Sequence, residues 1–505
     1  MDLHPTASAF AKSYDAGRAQ VVWTTLVGDL DTPVSAYLKL VGQDSHAFLL
    51  ESVEGGAQRG RYSFVGCRPD LVWRCVGNAA EINRTALHDR DAFTPCPVST
   101  REGALKSLRA LMAESRIDMP DDLPPMAAGL IGYMGYDTVR LSENIPDANP
   151  DVLNVPDGIF LRPTVIAIFD NAKDQVFVVT PVYPQNAIAA DKAYEDAQDR
   201  LARVVGDFNR ALEPQEGLDD VLDLPEPQSN MSKDAFFNMV ERAKEYILAG
   251  DIFQVVLSQR FKLPFTLPAF SFYRSLRRVN PSPFLFYLDF GGFQVAGSSP
   301  EILVRLRDGA VTIRPIAGTR KRGESEAEDL DLEQELLNDP KERAEHLMLL
   351  DLGRNDVGRV AQIGSVKVTA SYTIERYSHV MHIVSNVEGD IAPGNDAIDA
   401  LYAGFPAGTV SGAPKVRAME IIDELEPERR GIYAGCIGYF GADGEMDTCI
   451  ALRTAIIKDG WLYAQAGGGV VADSTPEGEY EESRNKARAL VRAAEEAVRF
   501  ARRSN

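Results

Sequence analysis

The sequence predicts a large α+β protein in which antiparallel sheets carry helices on their outer faces. Its 505 residues exceed the size of one ordinary compact domain. The candidate helices and strands do not alternate strictly, as repeated βαβ units would. The stretch 207–230 is rich in acidic residues and prolines, lacks apolar periodicity and reads as a linker. We therefore expect an N-terminal region over 20–206, a linker over 207–230 and a second region over 231–500.

The elements follow from local patterns. Before the linker, β-rich runs at 163–169 and 175–180 flank a short polar segment and predict a hairpin, and an alanine-rich run predicts a helix over 187–212. After it, Ser232 precedes apolar residues at helical spacing and Gly250 follows them, which predicts a capped helix. Further strands are expected at 252–263, 284–290, 293–296, 302–307, 311–314, 437–440, 450–457 and 462–466, and helices at 340–352, 414–425 and 476–503.

The charge and the cysteines exclude several classes of function. A formal net charge of −21 disfavours nucleic acid and anionic membranes as partners. The five cysteines form no Cys-x-x-Cys pair and are expected to be buried, reduced thiols. The sequence has neither a signal-peptide pattern after Met1 nor an apolar run of membrane-spanning length. We expect a cytoplasmic protein.

Two distant segments share the same acidic helix start. Each has a capping residue, a proline and two glutamates three residues apart: Asp339 and Pro340 with Glu342 and Glu345, then Thr475 and Pro476 with Glu479 and Glu482. Acidic residues near a helix N-terminus are also favoured by the helix dipole, so each pair alone can be structural. Paired carboxylates without cysteine suit Mg²⁺, and both interpretations stay open at this point.

Several glycine-rich and basic segments favour a small, multiply anionic ligand. Three glycines at 467–469 follow a predicted strand, 408–415 combines small hydroxylated residues with a helix start, and Arg453 lies on a predicted strand. Each of these features is often structural when isolated. His382, in an apolar stretch, is either a core histidine or the best candidate for proton transfer.

Five strings in order resemble the chorismate-utilising enzymes, and most of all anthranilate synthase component I. They lie at 315–320, 345–359, 380–382, 408–415 and 467–469. The resemblance is specific over 236–488 and weaker over 49–162. It implies two large facing antiparallel sheets with helices outside and the active site in the cleft between them.

The resemblance also implies a role for each matching residue. Glu345 and Glu482 would ligate Mg²⁺, with Glu342 and Glu479 in or near its shell. Chorismate would be bound through Mg²⁺ and by residues that line the site: Gly318, Thr319, Thr409, Tyr433, Arg453, Gly467 and Gly469. Glu301 would protonate the departing C4 hydroxyl, His382 would assist the loss of pyruvate, and Thr319 is counted with these catalytic residues.

Two positions separate this chain from its relatives. Isochorismate and salicylate synthases carry a lysine base where this chain has Gln254, and aminodeoxychorismate synthases typically carry a nucleophilic lysine where it has Ala317. Neither residue can replace those lysines, which leaves ammonia as the nucleophile at C2. An anthranilate synthase large subunit is thus favoured over the alternatives, an aminodeoxychorismate or isochorismate synthase.

The resemblance further implies partners and regulation. The sequence has no Gly-x-Cys-x-Gly elbow, so a separate glutamine amidotransferase subunit would supply ammonia, in a heterotetramer of two large and two small subunits. Tryptophan would inhibit at a site formed by Glu51, Ser52, Pro283 and Phe284. A non-catalytic protein on this scaffold would be expected to have lost one of the key residues, and all are present: Glu301, Glu345, His382 and Glu482.

Overall fold

The structure is a computed structural model that describes residues 1–42, 44–54, 58–212, 224–377 and 380–503. The strands in these ranges are β1 (Gln20–Val27), β2 (Ala47–Glu54), β3 (Gln58–Val76), β4 (Ala79–Asn83), β5 (Thr94–Pro95), β6 (Gly129–Met134), β7 (Gly158–Asp170), β8 (Gln175–Val182), β9 (Gln228–Ser229), β10 (Gln254–Pro264), β11 (Phe284–Asp289), β12 (Gln294–Ser299), β13 (Ile302–Arg307), β14 (Ala310–Ile313), β15 (Ile316–Lys321), β16 (Lys367–Arg376), β17 (Val380–Asp390), β18 (Gly412–Ala413), β19 (Cys436–Gly441), β20 (Met446–Ile450), β21 (Thr454–Lys458) and β22 (Trp461–Val470).

The helices in the same ranges are α1 (Ala7–Asp15), α2 (Pro33–Val41), α3 (Pro97–Glu102), α4 (Ala104–Glu114), α5 (Ala190–Phe208), α6 (Lys233–Ala249), α7 (Ala269–Val279), α8 (Glu326–Asn338), α9 (Pro340–Gly358), α10 (Ala397–Gly404), α11 (Gly408–Ser411), α12 (Lys415–Leu425) and α13 (Pro476–Arg503). A 3-10 helix spans Tyr136–Leu141.

The described strands form one antiparallel network that is folded into two sheets. The long strands β3 and β7 pair with each other and run through both sheets. The first sheet continues from them through β6, β19, β20, β13 and β14 to β17. The second continues through β2, β11, β12, β21 and β22 to β10. The register between β3 and β7 shifts between Pro69 and Leu71, where the two strands pass from one sheet to the other.

The alternation of side chains along the strands explains why the sheets face each other. Phe286 and Leu288 of β11 share a buried cluster with Ile437 and Tyr439 of β19, which belongs to the other sheet. Tyr287, between the two β11 residues, points to the opposite face and packs under helices α2 and α7. The predicted α+β fold, with two facing sheets and helices outside, is confirmed.

Most local predictions hold, and one is wrong. Ser232 accepts a hydrogen bond from the Ala235 N–H at 3.1 Å, and Gly250 ends helix α6 at a φ of 84°. The predicted single strand over 450–457 is instead two strands, because the chain turns between β20 and β21 and Arg453 adopts a φ of 48°. Of the predicted linker, residues 213–223 lie outside the described residues.

The two predicted regions contribute strands to the same sheets. Strand β2 pairs with β11 and strand β6 pairs with β19, so each sheet contains strands from both regions. The boundaries 20–206 and 231–500 stay a prediction. All five cysteines are buried and unpaired, as expected. Among the described helices, none combines the length and the apolar character that crossing a membrane requires.

Candidate active site

The first acidic helix start carries its two glutamates into different surroundings. Asp339 caps α9 by accepting hydrogen bonds from the backbone N–H groups of Lys341 and Glu342, and Pro340 occupies the first turn, as predicted. Glu342 pairs with Arg320 at 3.3 Å. Glu345 is more enclosed: burial raises its pKa, and the charges of Glu342 and Glu482 raise it further. The two predicted helix starts therefore bring their carboxylates near one another.

The second acidic helix start buries its first glutamate. The Thr475 hydroxyl caps α13 by accepting from the Gly478 N–H at 3.2 Å. Glu479 is 8% exposed, and its Oε1 accepts a hydrogen bond from the Ser474 hydroxyl at 2.7 Å. The other oxygen, Oε2, is buried without a partner among the described residues. Burial raises the pKa of Glu479, and the nearby charge of Glu482 adds to the rise.

The glycines of strand β22 lie close to side chains that belong to, or contact, the two helix starts. A Cβ added at Gly468 would lie 2.3 Å from Glu479 Oε2, and one at Gly469 would lie 2.1 Å from Gln254 Nε2. Gln254 in turn hydrogen-bonds Glu345, which lowers the pKa of that glutamate and opposes the effect of burial. Side chains at these glycines would displace the carboxylates and the amide, so the Gly-Gly-Gly run is required by close approach.

Glu301 is an acid that burial keeps protonated. It lies just before β13, is 7% exposed, and burial raises its pKa to about 8. The Thr409 hydroxyl donates to Glu301 Oε1 at 3.0 Å. This bond and the charges of Arg453 and Lys486 lower the pKa but do not cancel the effect of burial. Glu301 can therefore donate a proton near neutral pH.

His382 lies on β17 beside the bulge of β15. Its Nδ1 is 3.0 Å from the carbonyl oxygen of Gly318 and 3.1 Å from the Thr319 hydroxyl. Gly318, with a φ of 71°, produces the register shift that brings both groups to the imidazole. Burial lowers the pKa of His382, so the ring is neutral at physiological pH. A neutral imidazole held at Nδ1 can accept a proton at Nε2.

Arg453 and Tyr433 supply the predicted binding groups for a carboxylate. Arg453 makes no hydrogen bond or ion pair through its guanidinium with another described residue, although its charge acts on both Glu301 and His382. The phenol of Tyr433 hydrogen-bonds the backbone of Gly467, and burial raises its pKa to about 12. The arginine beside Tyr433 is Arg430, whose guanidinium carbon lies 5.5 Å from the ring centroid. A guanidinium without a carboxylate partner among the described residues, such as that of Arg453, suits a bound carboxylate.

Sequence reasoning missed Lys486. Its Nζ contacts Glu482 Oε1 at 2.8 Å and the carbonyl oxygen of Gly467 at 2.9 Å, and its charge acts on Glu301 and Glu479. Lys486 follows Glu482 by four residues on α13, so the i,i+4 spacing could have identified it.

The acidic residues are of the chemical type that binds a hard divalent cation. The charges of Glu342 and Glu482 act on Glu345, and the charge of Glu482 acts on Glu479. Glu479 Oε2 is a buried oxygen without a partner among the described residues, and carboxylate oxygen is the kind of donor that Mg²⁺ prefers. Within the described residues, however, no three acidic, histidine or cysteine side chains form a ready-made ligand cluster. Glu482 instead forms an ion pair with Lys486, whose Nζ lies 2.8 Å from Glu482 Oε1. Coordination by these residues stays a prediction.

The residues predicted to bind tryptophan lie together where the end of β2 pairs with the start of β11. Glu51 is opposite Leu285, one residue beyond Phe284, and Ser52 lies at a register shift of β2. Both oxygens of Glu51 already accept hydrogen bonds, from Tyr273 at 2.6 Å and from Arg277 at 2.8 and 2.7 Å.

An α-ammonium group would therefore have to share the Glu51 carboxylate with Arg277, a competitor that the sequence did not reveal. Pro283 and Phe284 are half-buried and could offer apolar surface beside Ser52.

Comparisons with known proteins agree with this geometry. The model of a family described as chorismate binding enzyme matches residues 51–492. Anthranilate synthase component 1 of Cereibacter sphaeroides is 59% identical over 98% of both chains, and that of Pseudomonas putida is 48% identical over 92% of this chain and 93% of its own.

Solved structures agree as well. Anthranilate synthase component I from Streptococcus pneumoniae superposes with a TM-score of 0.74 at 36% identity, over 92% of this chain and 98% of that one. The menaquinone-specific isochorismate synthase of Escherichia coli, at 19% identity and a TM-score of 0.70, shares the fold, over 97% of this chain and 100% of that one. By family match and by these relatives, the chain belongs to the chorismate-binding enzymes and, within them, to the anthranilate synthase component 1 family.

Proposed function

We propose that the chain converts chorismate and ammonia to anthranilate and pyruvate. The observation that carries this proposal is Glu301, a buried carboxyl group whose pKa burial raises to about 8. The charge of Arg453 acts on it, and the Arg453 guanidinium has no ionic partner among the described residues. Chorismate carries two carboxylates and a hydroxyl that leaves only when protonated. The site offers a cation for the anion and an acid for the hydroxyl in the same cleft.

Binding must overcome the repulsion between a dianion and a protein of net charge −21. Arg453, Tyr433 and the backbones of Gly467 and Gly469 would bind the enolpyruvyl carboxylate. Glu345 and Glu482, with Glu342 and Glu479 beside them, would hold Mg²⁺, which when bound supplies positive charge for the ring carboxylate.

In the first step the Glu301 proton moves to the C4 hydroxyl as the C4–O bond breaks, and water leaves. Ammonia forms a bond to C2 as the ring double bonds shift, and the new ammonium group then loses one proton. The product of this step is 2-amino-2-deoxyisochorismate. Gln254, an amide that hydrogen-bonds Glu345, cannot deprotonate water, which supports ammonia over water as the nucleophile.

In the second step the proton on C2 is removed, the C2–C3 double bond forms and the C3–O bond breaks. The departing enolpyruvate gains a proton at its methylene carbon and becomes pyruvate. His382 is neutral, and its Nδ1 contacts an acceptor, so its Nε2 is available for the C2 proton. The ring becomes aromatic, which makes this elimination strongly favourable.

The purified chain should therefore form anthranilate from chorismate, Mg²⁺ and ammonium, and be nearly inactive with glutamine alone. Anthranilate fluorescence and chromatography of the products measure this. Isochorismate or 4-amino-4-deoxychorismate as the main product would instead assign one of the two alternative activities.

We further propose a cytoplasmic heterotetramer with a glutamine amidotransferase subunit and feedback inhibition by tryptophan. The relatives' designation as component 1 supports a second component. The pairing of Glu51 with Leu285, which brings Ser52 and Phe284 to the same end of the β2–β11 pair, supports the inhibitor site. The test for inhibition is Ser52→Arg, which would fill this position and add a charge. Tryptophan should inhibit wild type but not this variant, at similar turnover. Equal inhibition of both proteins would place any feedback site elsewhere.

A further inference from the structure

A cluster of three residues borders His382 and has no part in the mechanism above. The Tyr377 hydroxyl donates to Glu375 Oε2 at 3.0 Å, and the Arg314 guanidinium pairs with the other oxygen of Glu375. We call Arg314, Glu375 and Tyr377 the hairpin clamp. All three are half-buried, and the bonds leave the Tyr377 ring fixed at its hydroxyl end.

The pairing of β16 with β17 aims the clamp at His382. Glu375 lies directly opposite His382 in the register, and the Tyr377 N–H donates to the Val380 carbonyl at 2.8 Å. Because directly paired residues of neighbouring strands point to the same face, Glu375 stands on the side where His382 projects, and Tyr377 follows the end of β16 by one residue. The Tyr377 ring meets the imidazole edge to face, with centroids 5.5 Å apart and planes at 62°.

Groups from β15, from β16 and from the turn after β20 surround His382. The Gly318 carbonyl and the Thr319 hydroxyl contact Nδ1 from β15, and Arg453 acts from the turn after β20. Burial and the Arg453 charge lower the pKa of His382, whereas the Gly318 carbonyl and the Glu375 charge raise it. The clamp therefore supplies the one negative charge among the described neighbours that acts on this ring.

The contact at Nδ1 determines which nitrogen can react. A carbonyl oxygen can only accept, so Nδ1 of the neutral ring carries the hydrogen and Nε2 carries the free electron pair. Edge-to-face packing against Tyr377 limits rotation of the ring about its Cβ–Cγ bond. Both effects favour one orientation in which Nε2 accepts a proton.

We propose that the hairpin clamp is a positioning device for the pyruvate-elimination step, in which Tyr377 fixes the imidazole plane and Glu375 tunes how readily Nε2 takes the C2 proton. This inference rests on the proposed function. Tyr377 and Glu375 act through His382 and are positioning residues.

The protein contains a matched control on strand β16, which ends one residue before Tyr377. Tyr372 of β16 packs edge to face on His346, with centroids 4.8 Å apart and the same 62° angle. His346 is fully buried, and its Nε2 contacts the Ser385 hydroxyl at 2.6 Å. Tyr372→Phe thus removes one hydroxyl from a similar tyrosine–histidine pair to which the proposed mechanism assigns no role.

The experiment compares Tyr377→Phe, Glu375→Gln and Tyr372→Phe with wild type. Tyr377→Phe should lower kcat about tenfold, leave KM for chorismate within about twofold, and release 2-amino-2-deoxyisochorismate. Glu375→Gln removes the negative charge that raises the pKa of His382, so this pKa should fall, as measured by proton NMR of the histidine ring in the full chain. The acid limb of the kcat profile should move to lower pH with it. Tyr372→Phe should change none of these.

Two results would overturn the clamp. One is a His382 titration and an acid limb unmoved in Glu375→Gln. The other is a Tyr377→Phe protein that behaves like Tyr372→Phe. Failure of the proposed function looks different, because wild type itself would then form no anthranilate.

Discussion

The two acidic helix starts look alike in sequence and differ in the folded protein. Both begin with a capping residue and a proline, and both carry glutamates three residues apart. On α9 the first glutamate, Glu342, pairs with Arg320 at 24% side-chain exposure. On α13 the first glutamate, Glu479, is buried, and its Oε2 has no partner among the described residues. The same local pattern thus ends in an ordinary ion pair on α9 and in a buried oxygen without a partner among the described residues on α13.

The difference shows how to separate capping from metal binding. Capping and the helix dipole explain an acid in the first turn, but they do not require it to be buried. Burial of an ionised carboxylate without a partner costs stability unless a cation neutralises it. Glu479 therefore argues more strongly for a cation than Glu342 does.

The largest effect is expected at the second glutamate of each pair. Glu345→Gln and Glu482→Gln should each reduce kcat more than about 100-fold, since even outer partners of a metal site cost 10–100-fold. Titration of activity against Mg²⁺ measures the change. Glu477→Gln is the matched control, because Glu477 lies in the same turn of α13 but pairs with Lys233 at 2.8 Å. Activity that survives removal of divalent metal by EDTA would contradict the proposed Mg²⁺ role.

The first glutamates should differ from each other. Glu479→Gln should raise the Mg²⁺ concentration for half-maximal activity about tenfold, and Glu342→Gln should raise it less, because Arg320 already satisfies Glu342. The same Mg²⁺ titration, run on both variants at constant ionic strength, measures the order. Equal effects of the two variants would mean that burial of Glu479 has no bearing on the metal.

Stability against pH gives a smaller, independent signal. The pKa of Glu479 is raised in the folded state, so its contribution to stability is fully present below the unfolded pKa near 4.5 and is lost as pH rises through the folded value. Wild type without Mg²⁺ should lose stability over this interval, and Glu479→Gln should lose less.

Thermal unfolding at several pH values without Mg²⁺ measures the difference. Glu477→Gln, which changes an acid in the same turn of α13 that pairs with Lys233, is the control, and its curve should run parallel to that of wild type. Identical pH curves for wild type and Glu479→Gln would show that Glu479 is solvated in solution.

Features with a local cause could be predicted from the sequence. The caps Asp339, Ser232 and Thr475 were predicted because each acts on a backbone N–H two or three residues away. Features that distant residues determine could not be predicted. Arg453 was predicted on a strand but adopts a left-handed conformation, which follows from how β20 and β21 are placed.

Long-range partners escaped for the same reason. Glu51 meets Arg277 across 226 positions of the chain, and no local pattern indicates that contact. A role for Tyr377 could be inferred only from the structure, in which the β16–β17 register places Glu375 opposite His382. The fold and the reactive residues could be predicted from ordered motifs, whereas the groups that hold those residues in place could not.

The smallest effect should come from the caps themselves, and it tests whether the helix starts are anything more than caps. Thr475→Ala removes the acceptor for the Gly478 N–H and should destabilise the protein by about 1 kcal/mol. Ser232→Ala, at a helix start without the acidic pair, should cost about the same.

If α13 begins with acids only for its own stability, Thr475→Ala and Glu482→Gln should resemble each other, with modest losses of stability and normal turnover. If the acids serve the reaction, Thr475→Ala should lose stability and keep nearly full activity at saturating Mg²⁺, while Glu482→Gln does the reverse. Urea unfolding and anthranilate formation, measured on the same preparations, decide between these outcomes.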